Sequence, residues 1–172
     1  MRVRGTVVSL DGSKLVVHTK DGKDVAVKPK DKYAALAVVK SSMDEIKQGT
    51  FIGTATEPQP DGSLRAVEVV VFPDSLRGWA TILGISVRKS MMTNATIAQK
   101  VQKVDGDTVD VTYKGGEKKI TIPTDVPIVG LVPAEHSDIE PGAHVFVPTE
   151  KQADGTLLAG AVLFGKGVVP PM

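Results

Sequence analysis

Cysteine is absent from the 172 residues, so no disulfide framework holds this chain and no thiol chemistry drives it. Aromatic side chains are scarce. One Trp, two Tyr and four Phe leave few platforms on which bases or sugar rings could stack. No apolar run approaches the roughly 18 residues that a membrane-spanning helix needs, and no secretory h-region follows Met1, so the chain as given reads as soluble. Neither sign of charge dominates. Lys and Arg outnumber Asp and Glu by 11 to 9 over residues 1–73 and fall behind by 7 to 10 over 94–172, fields too weak to recruit nucleic acid or a membrane. The hydrolase signatures Gly-x-Ser-x-Gly and His-Glu-x-x-His are missing, and Gly115-Gly116 reads as a hairpin turn rather than a phosphate cradle. These absences predict a protein that is not an enzyme and carries no cofactor.

What the chain does have is valine, placed with Thr and Ile in short alternating runs, which is the pattern of half-buried strands. It also has an internal repeat. DEIKQGTFIGTATEPQPDGSLRAVEVVV, residues 44–71, recurs without a gap 93 positions later as SDIEPGAHVFVPTEKQADGTLLAGAVLF, residues 137–164. Ile46 recurs as Ile139, Gly49 as Gly142, Asp61-Gly62 as Asp154-Gly155 and Ala66 as Ala159. The matched positions are turn formers and core residues, so the repeat specifies architecture rather than chemistry.

Turn signals divide each repeat into five strands. In the first, 3–10 and 14–19 are separated by Asp11-Gly12, Asp21-Gly22 precedes a third strand from Val25 that Pro29 interrupts, and 50–56 and 63–72 flank Asp61-Gly62. The run YAALAVVK, 33–40, has helix propensity, but its counterpart VPIVGLVP, 126–133, carries Pro127, Gly130 and Pro133, so both are expected to be extended. A short helical turn starts at Asp44 in one repeat and at Ser137 in the other, with these residues as N-caps and Gly49 and Gly142 as stops. The second repeat reads 96–104, 108–113, 118–122, 143–149 and 156–164, followed by an extended tail. The expected fold is all-β: two tandem OB-like small β-barrels, 1–73 and 94–172, each with a short helical turn and joined by a connector, 74–93.

The paired segments PQPDGSLRAVEVVVF and KQADGTLLAGAVLFG, with MMTNATIAQKVQKVDGDTVDVTYKGGEKKITIP, resemble bacterial exported proteins built from the OB-like domain of unknown function 5666. The resemblance covers nearly the whole chain except about 78–90. It implies the fold just given and export to the periplasm or beyond, and it supplies no catalytic motif. Relatives sometimes labelled as metal-transporter permeases do not make this chain a permease, because it has no membrane span. Where such proteins are expected to carry a polar connector, this chain has the apolar run 78–87.

Two candidate sites remain. His136 and Asp138, with Glu140 and His144 nearby, are ligand types for Zn²⁺ or Cu²⁺, although a short helical turn would make residues two apart diverge and a solvated loop accounts for them too. His18 reads as a half-buried sheet residue, and Met91-Met92 as packing rather than a Cu(I) site. The second candidate is an interaction surface. Trp79, Ile82, Leu83, Ile85 and Val87 put apolar surface into the connector, and 67–72 and 162–164 are apolar strands that could add a strand from a neighbour. The lysines of 20–40 are interleaved with Asp21, Asp24 and Asp31, and Tyr33 and Tyr113 stand alone, which argues against nucleic acid. The function expected is therefore that of a structural or interaction module, acting by self-association or on an envelope protein. A small-ligand or metal binder using 136–144 is the alternative.

Overall fold

The computed structural model describes residues 1–79, 91–101 and 106–170. Every regular element among them is a strand or a single 3-10 turn, so the fold is all-β as expected. The strands are β1 (Arg2–Asp11), β2 (Lys14–Thr19), β3 (Asp24–Lys40), β4 (Phe51–Pro58), β5 (Leu64–Phe72), β6 (Met91–Val101), β7 (Gly106–Tyr113), β8 (Gly116–Pro123), β9 (Ile128–Ala134), β10 (His144–Lys151) and β11 (Leu157–Gly165). The 3-10 turns are Met43–Glu45, Asp74–Trp79 and His136–Asp138.

They assemble into two compact units that do not follow the repeats. One comprises Met1–Val39 with Val132–Met172, the other Lys40–Leu131. In the first, β1, β2 and β3 form an antiparallel meander, with Leu10 opposite Leu15 and Leu15 opposite Val27. Strand β10 pairs antiparallel with β1, β11 antiparallel with β10, and β11 parallel with β3 from Lys28 to Val38, so five strands close on themselves. Alternate residues point inward, as a period of two requires. Val3 and Val7, Leu15 and Val17, Ala35 and Ala37, and Val145 and Val147 share one core with Ile139, Val162 and Phe164.

The second unit repeats that order with its strands taken from elsewhere in the chain. Strands β6, β7 and β8 form the meander, β4 pairs with β6 and β5 with β4, and β5 meets β8 in parallel at Leu64–Ile120 and Arg65–Thr121 before continuing along β9. Its core gathers Ile46, Ile52, Val69, Ile97, Val109, Val111, Ile120 and Ile122. Among the described residues each unit thus takes its three-strand meander from one repeat and the β4–β5 or β10–β11 pair that completes it from the other.

Local detail obeys the repeat even where the partition does not. Gly49 and Gly142 lie at φ 86° and 89°, and Gly62 and Gly155 at 82° and 89°, left-handed values that glycine adopts without a steric penalty. A bulge falls at Val8 in β1 and again at Ala98 in β6. The segment 33–40 is extended, as is most of 126–133, in keeping with the expectation. Three local expectations need correction. Pro29 does not end its strand: β3 runs on to Lys40, and the missing N–H is accommodated where the ladder to β11 shifts register after Ala159. Strand β6 begins at Met91, so residues 91–93 belong to a barrel rather than to the connector. The helical turns begin earlier than Asp44 and Ser137, with Ser42 and Glu135 at the N-cap positions. Of these two, Glu135 makes a capping box with Asp138, which accepts its N–H, whereas Ser42 makes no side-chain cap although Glu45 stands at the same spacing.

Candidate functional site

The Asp-Gly turn between β10 and β11 is built by its own side chain. Gly155 takes the positive φ, the Gln152 N–H donates to the Thr156 carbonyl at 2.8 Å, and the Thr156 N–H donates to Asp154 Oδ1 at 2.9 Å. That turn forms one wall of an open groove of about 610 Å³ in the unit made of the chain ends. Its lining also includes Ser13 and Lys14 at the β1–β2 turn, Ala26, Val27 and Lys28 of β3, and Leu157. The groove lies at the end of the parallel closure. Parallel pairing of β3 with β11 starts at Lys28–Leu158, whereas the other unit also pairs the equivalent of Val27 and Leu157, namely Ile120 and Leu64.

The charged residues of this groove's lining are Lys14, Lys28 and Asp154, and none of its lining residues is aromatic. Asp154 is held below the usual carboxylate range, first by the Thr156 N–H and hydroxyl and then by the charge of Lys28. Asp61, at the repeated turn, is lowered mainly by the hydroxyl of Ser63, which donates at 2.6 Å, and then by the Ser63 N–H. Asp21 is lowered by the hydroxyl of Thr19. A carboxylate whose pKa falls on folding stabilises the fold above its unfolded value of about 3.9, and that contribution is lost as pH drops through the folded value. Carboxyl-detected NMR titration should therefore give Asp21, Asp61 and Asp154 midpoints below 3.9. Ser63→Ala should move Asp61 upward by more than Thr156→Ala moves Asp154, because the main donor to Asp154 is a backbone N–H that survives substitution. Equal shifts would contradict that assignment.

No protein-family model, curated protein or solved structure matches this chain. Its own geometry therefore carries the functional argument.

The suggested metal ligands are not brought together. The His136 ring stacks on Tyr33 at 3.8 Å and 6°, and its Nε2 lies 2.7 Å from the Tyr33 carbonyl oxygen. A carbonyl only accepts, so Nε2 carries the hydrogen and is not available as a ligand. Asp138 accepts the Glu135 N–H at 3.0 Å in the capping box, and His144 is exposed at the start of β10, opposite Thr6. Among the described residues no group of three His, Asp or Glu side chains is placed to hold a metal. His18 is exposed rather than half-buried, with Nδ1 2.6 Å from Asp24 Oδ1 across the β2–β3 hairpin.

The suggested interaction surface fares differently at its two parts. Trp79 closes the 3-10 turn Asp74–Trp79, its side chain outside what the structure describes, and Ile82, Leu83, Ile85 and Val87 lie outside the described residues. The strands expected to offer open edges do not. Strand β5 is paired to β4 on one side and to β8 and β9 on the other, while β11 lies between β10 and β3. Val69, Val70, Phe72, Val162, Leu163 and Phe164 are all buried. Barrel closure has used the hydrogen-bonding groups that strand addition would need.

One residue that the sequence reading passed over is Arg77. Its Nε donates to Asp74 at 2.8 Å, Nη1 to the Thr96 hydroxyl at 3.2 Å and Nη2 to the Gly49 carbonyl at 2.6 Å, and the guanidinium lies 5.5 Å from the Phe51 ring. The Asp-x-x-Arg spacing was the available signal, and the role it indicates is to pin the turn onto β4 and β6.

Proposed function

We propose that this chain is a non-catalytic binding module that works through the open face of its first barrel. The observation that carries the reading is the groove, lined by residues of the β1–β2 turn, the β10–β11 turn and β3, among them two lysines and one carboxylate. The strand order β1-β2-β3-β11-β10, with β3 and β11 parallel, supports an OB-like description, and barrels of that kind bind through this same combination of face and loops. Without an aromatic in its lining, the groove has no platform for bases or sugar rings. Its lining, apolar at Ala26, Val27 and Leu157 and net positive through Lys14 and Lys28 against Asp154, suits an extended acidic segment of a partner protein. The resemblance of the paired segments to exported bacterial proteins supports a partner in the cell envelope and a module that acts in the periplasm or outside the cell.

The test is to titrate an oligoglutamate peptide into the isotope-labelled protein and map amide shifts. Those of Lys14, Lys28 and Gly155 should move together, and Lys14→Glu with Lys28→Glu should abolish the response. The same titration with oligo-deoxythymidine should give at least tenfold weaker binding. Shifts confined to other surfaces, or preference for the oligonucleotide, would overturn the reading.

A further inference from the structure

The first compact unit is made from two pieces of chain, and the second piece, Val132–Met172, supplies the two strands that close it. Strand β10 covers the edge of β1 over Arg2–Thr6, and β11 covers the edge of β3 from Lys28 to Val38. The chain start adds to this seam. The Met1 amino group donates to the Thr149 carbonyl at 2.6 Å, the Thr149 N–H and hydroxyl donate back to the Met1 carbonyl at 2.8 and 2.9 Å, and the Arg4 guanidinium lies 4.9 Å from the Phe146 ring. Without Val132–Met172, β1 and β3 would present two long unpaired edges.

We propose that a second copy of this chain is a natural partner, through reciprocal exchange of Val132–Met172, so that two chains complete each other's first barrel. Three observations support it. The seam joins Met1–Val39 to Val132–Met172, and those contacts are the same whichever molecule provides the second piece. The chain enters that piece through β9, a continuous strand that crosses the boundary at Leu131/Val132, so no tight turn has to open at the crossing. The fold already completes each three-strand meander with a strand pair from the other repeat: Ile52 sits opposite Ala95 in one unit as Val145 sits opposite Gly5 in the other. Closure within one chain competes at an effective concentration of about millimolar, so exchange grows as chains refold at high concentration. The proposal is independent of the groove and its ligand.

The lack of cysteine makes the test clean. Thr6 and His144 are direct partners across β1 and β10, and opposed Cα atoms about 4.5–5.5 Å apart suit a disulfide. The single variants Thr6→Cys and His144→Cys, unfolded, mixed and refolded at about 0.5 mM, a concentration comparable to that effective value, should give a disulfide-linked heterodimer that neither variant forms alone. Refolding the mixture at about a hundredth of that concentration should reduce the linked share at least tenfold. The double variant must link within one chain, which shows that the register is accessible. Free thiols in the mixture at both concentrations would overturn the proposal. So would linked homodimers of one variant as abundant as the heterodimer, or failure of the double variant to link.

Discussion

Gly5→Ala is expected to lower the unfolding free energy by about 3 kcal/mol, the upper end of the usual cost of overpacking. A Cβ at Gly5 would stand 1.9 Å from the His18 carbonyl oxygen and 2.7 Å from its carbon. These are backbone atoms of β2, held between β1 and β3 by the pairs Thr6–His18 and His18–Asp24. Unlike the end of a flexible side chain, they retreat only if the ladder gives way. The second repeat places Ala95 at the equivalent point of β6, buried in its own core, so the close approach belongs to the first meander alone. A chain of this length should lose roughly 6–12 °C in Tm. Gly12→Ala is the control, with no atom within 4 Å of its added Cβ, and should stay within about 0.5 kcal/mol of the parent. A Gly5→Ala protein melting within 2 °C of the parent would mean that β1 and β2 do not pack so closely.

How far this fold could be read in the sequence depended on the range of the forces involved. Asp-Gly turns, period-two cores and the extended state of 33–40 were legible because they are set by neighbouring residues or by direct comparison of the repeats. The partner of each strand pair was not. Strands β4 and β10 carry nearly the same turns and registers, so either could complete the β1–β3 meander as far as local pattern can tell. Their assignment depends on where β3 delivers the chain, and β3 runs without reversal from Asp24 to Lys40. Apolar β5 and β11 looked like open edges for a related reason, since alternation reports which face is buried but not whether the hydrogen bonds along an edge are used. The surroundings of His136 are set over a longer distance. The partner of His136 is Tyr33, 103 positions away, and spacing among 136, 138 and 144 contains nothing about it. The groove is not legible in the sequence because its lining brings together Lys14, Lys28 and Asp154, which no motif connects.

Phe164→Ala should separate the two ways of dividing the chain. Phe164 is buried in the core of the first unit, opposite Val145 on β10 and beside Ala37 on β3, and truncating a buried Phe costs about 3–5 kcal/mol. Where that loss is felt depends on which strands share the core. With Met1–Val39 and Val132–Met172 as one unit, amide hydrogen exchange should accelerate along β1, β2 and β3, more than 120 residues upstream of the substitution. Protection in β6, β7 and β8 should persist, because their core is formed with Ile52 and Val69 instead. Barrels built from consecutive repeats would give the opposite map, with β6–β8 losing protection and β1–β3 spared. Local opening follows the contacts that stabilise each cooperative unit, so the exchange pattern reports the pairing itself. If protection fell equally in both meanders, the two units would unfold as one, and the division at Val39/Lys40 and Leu131/Val132 would carry no energetic meaning.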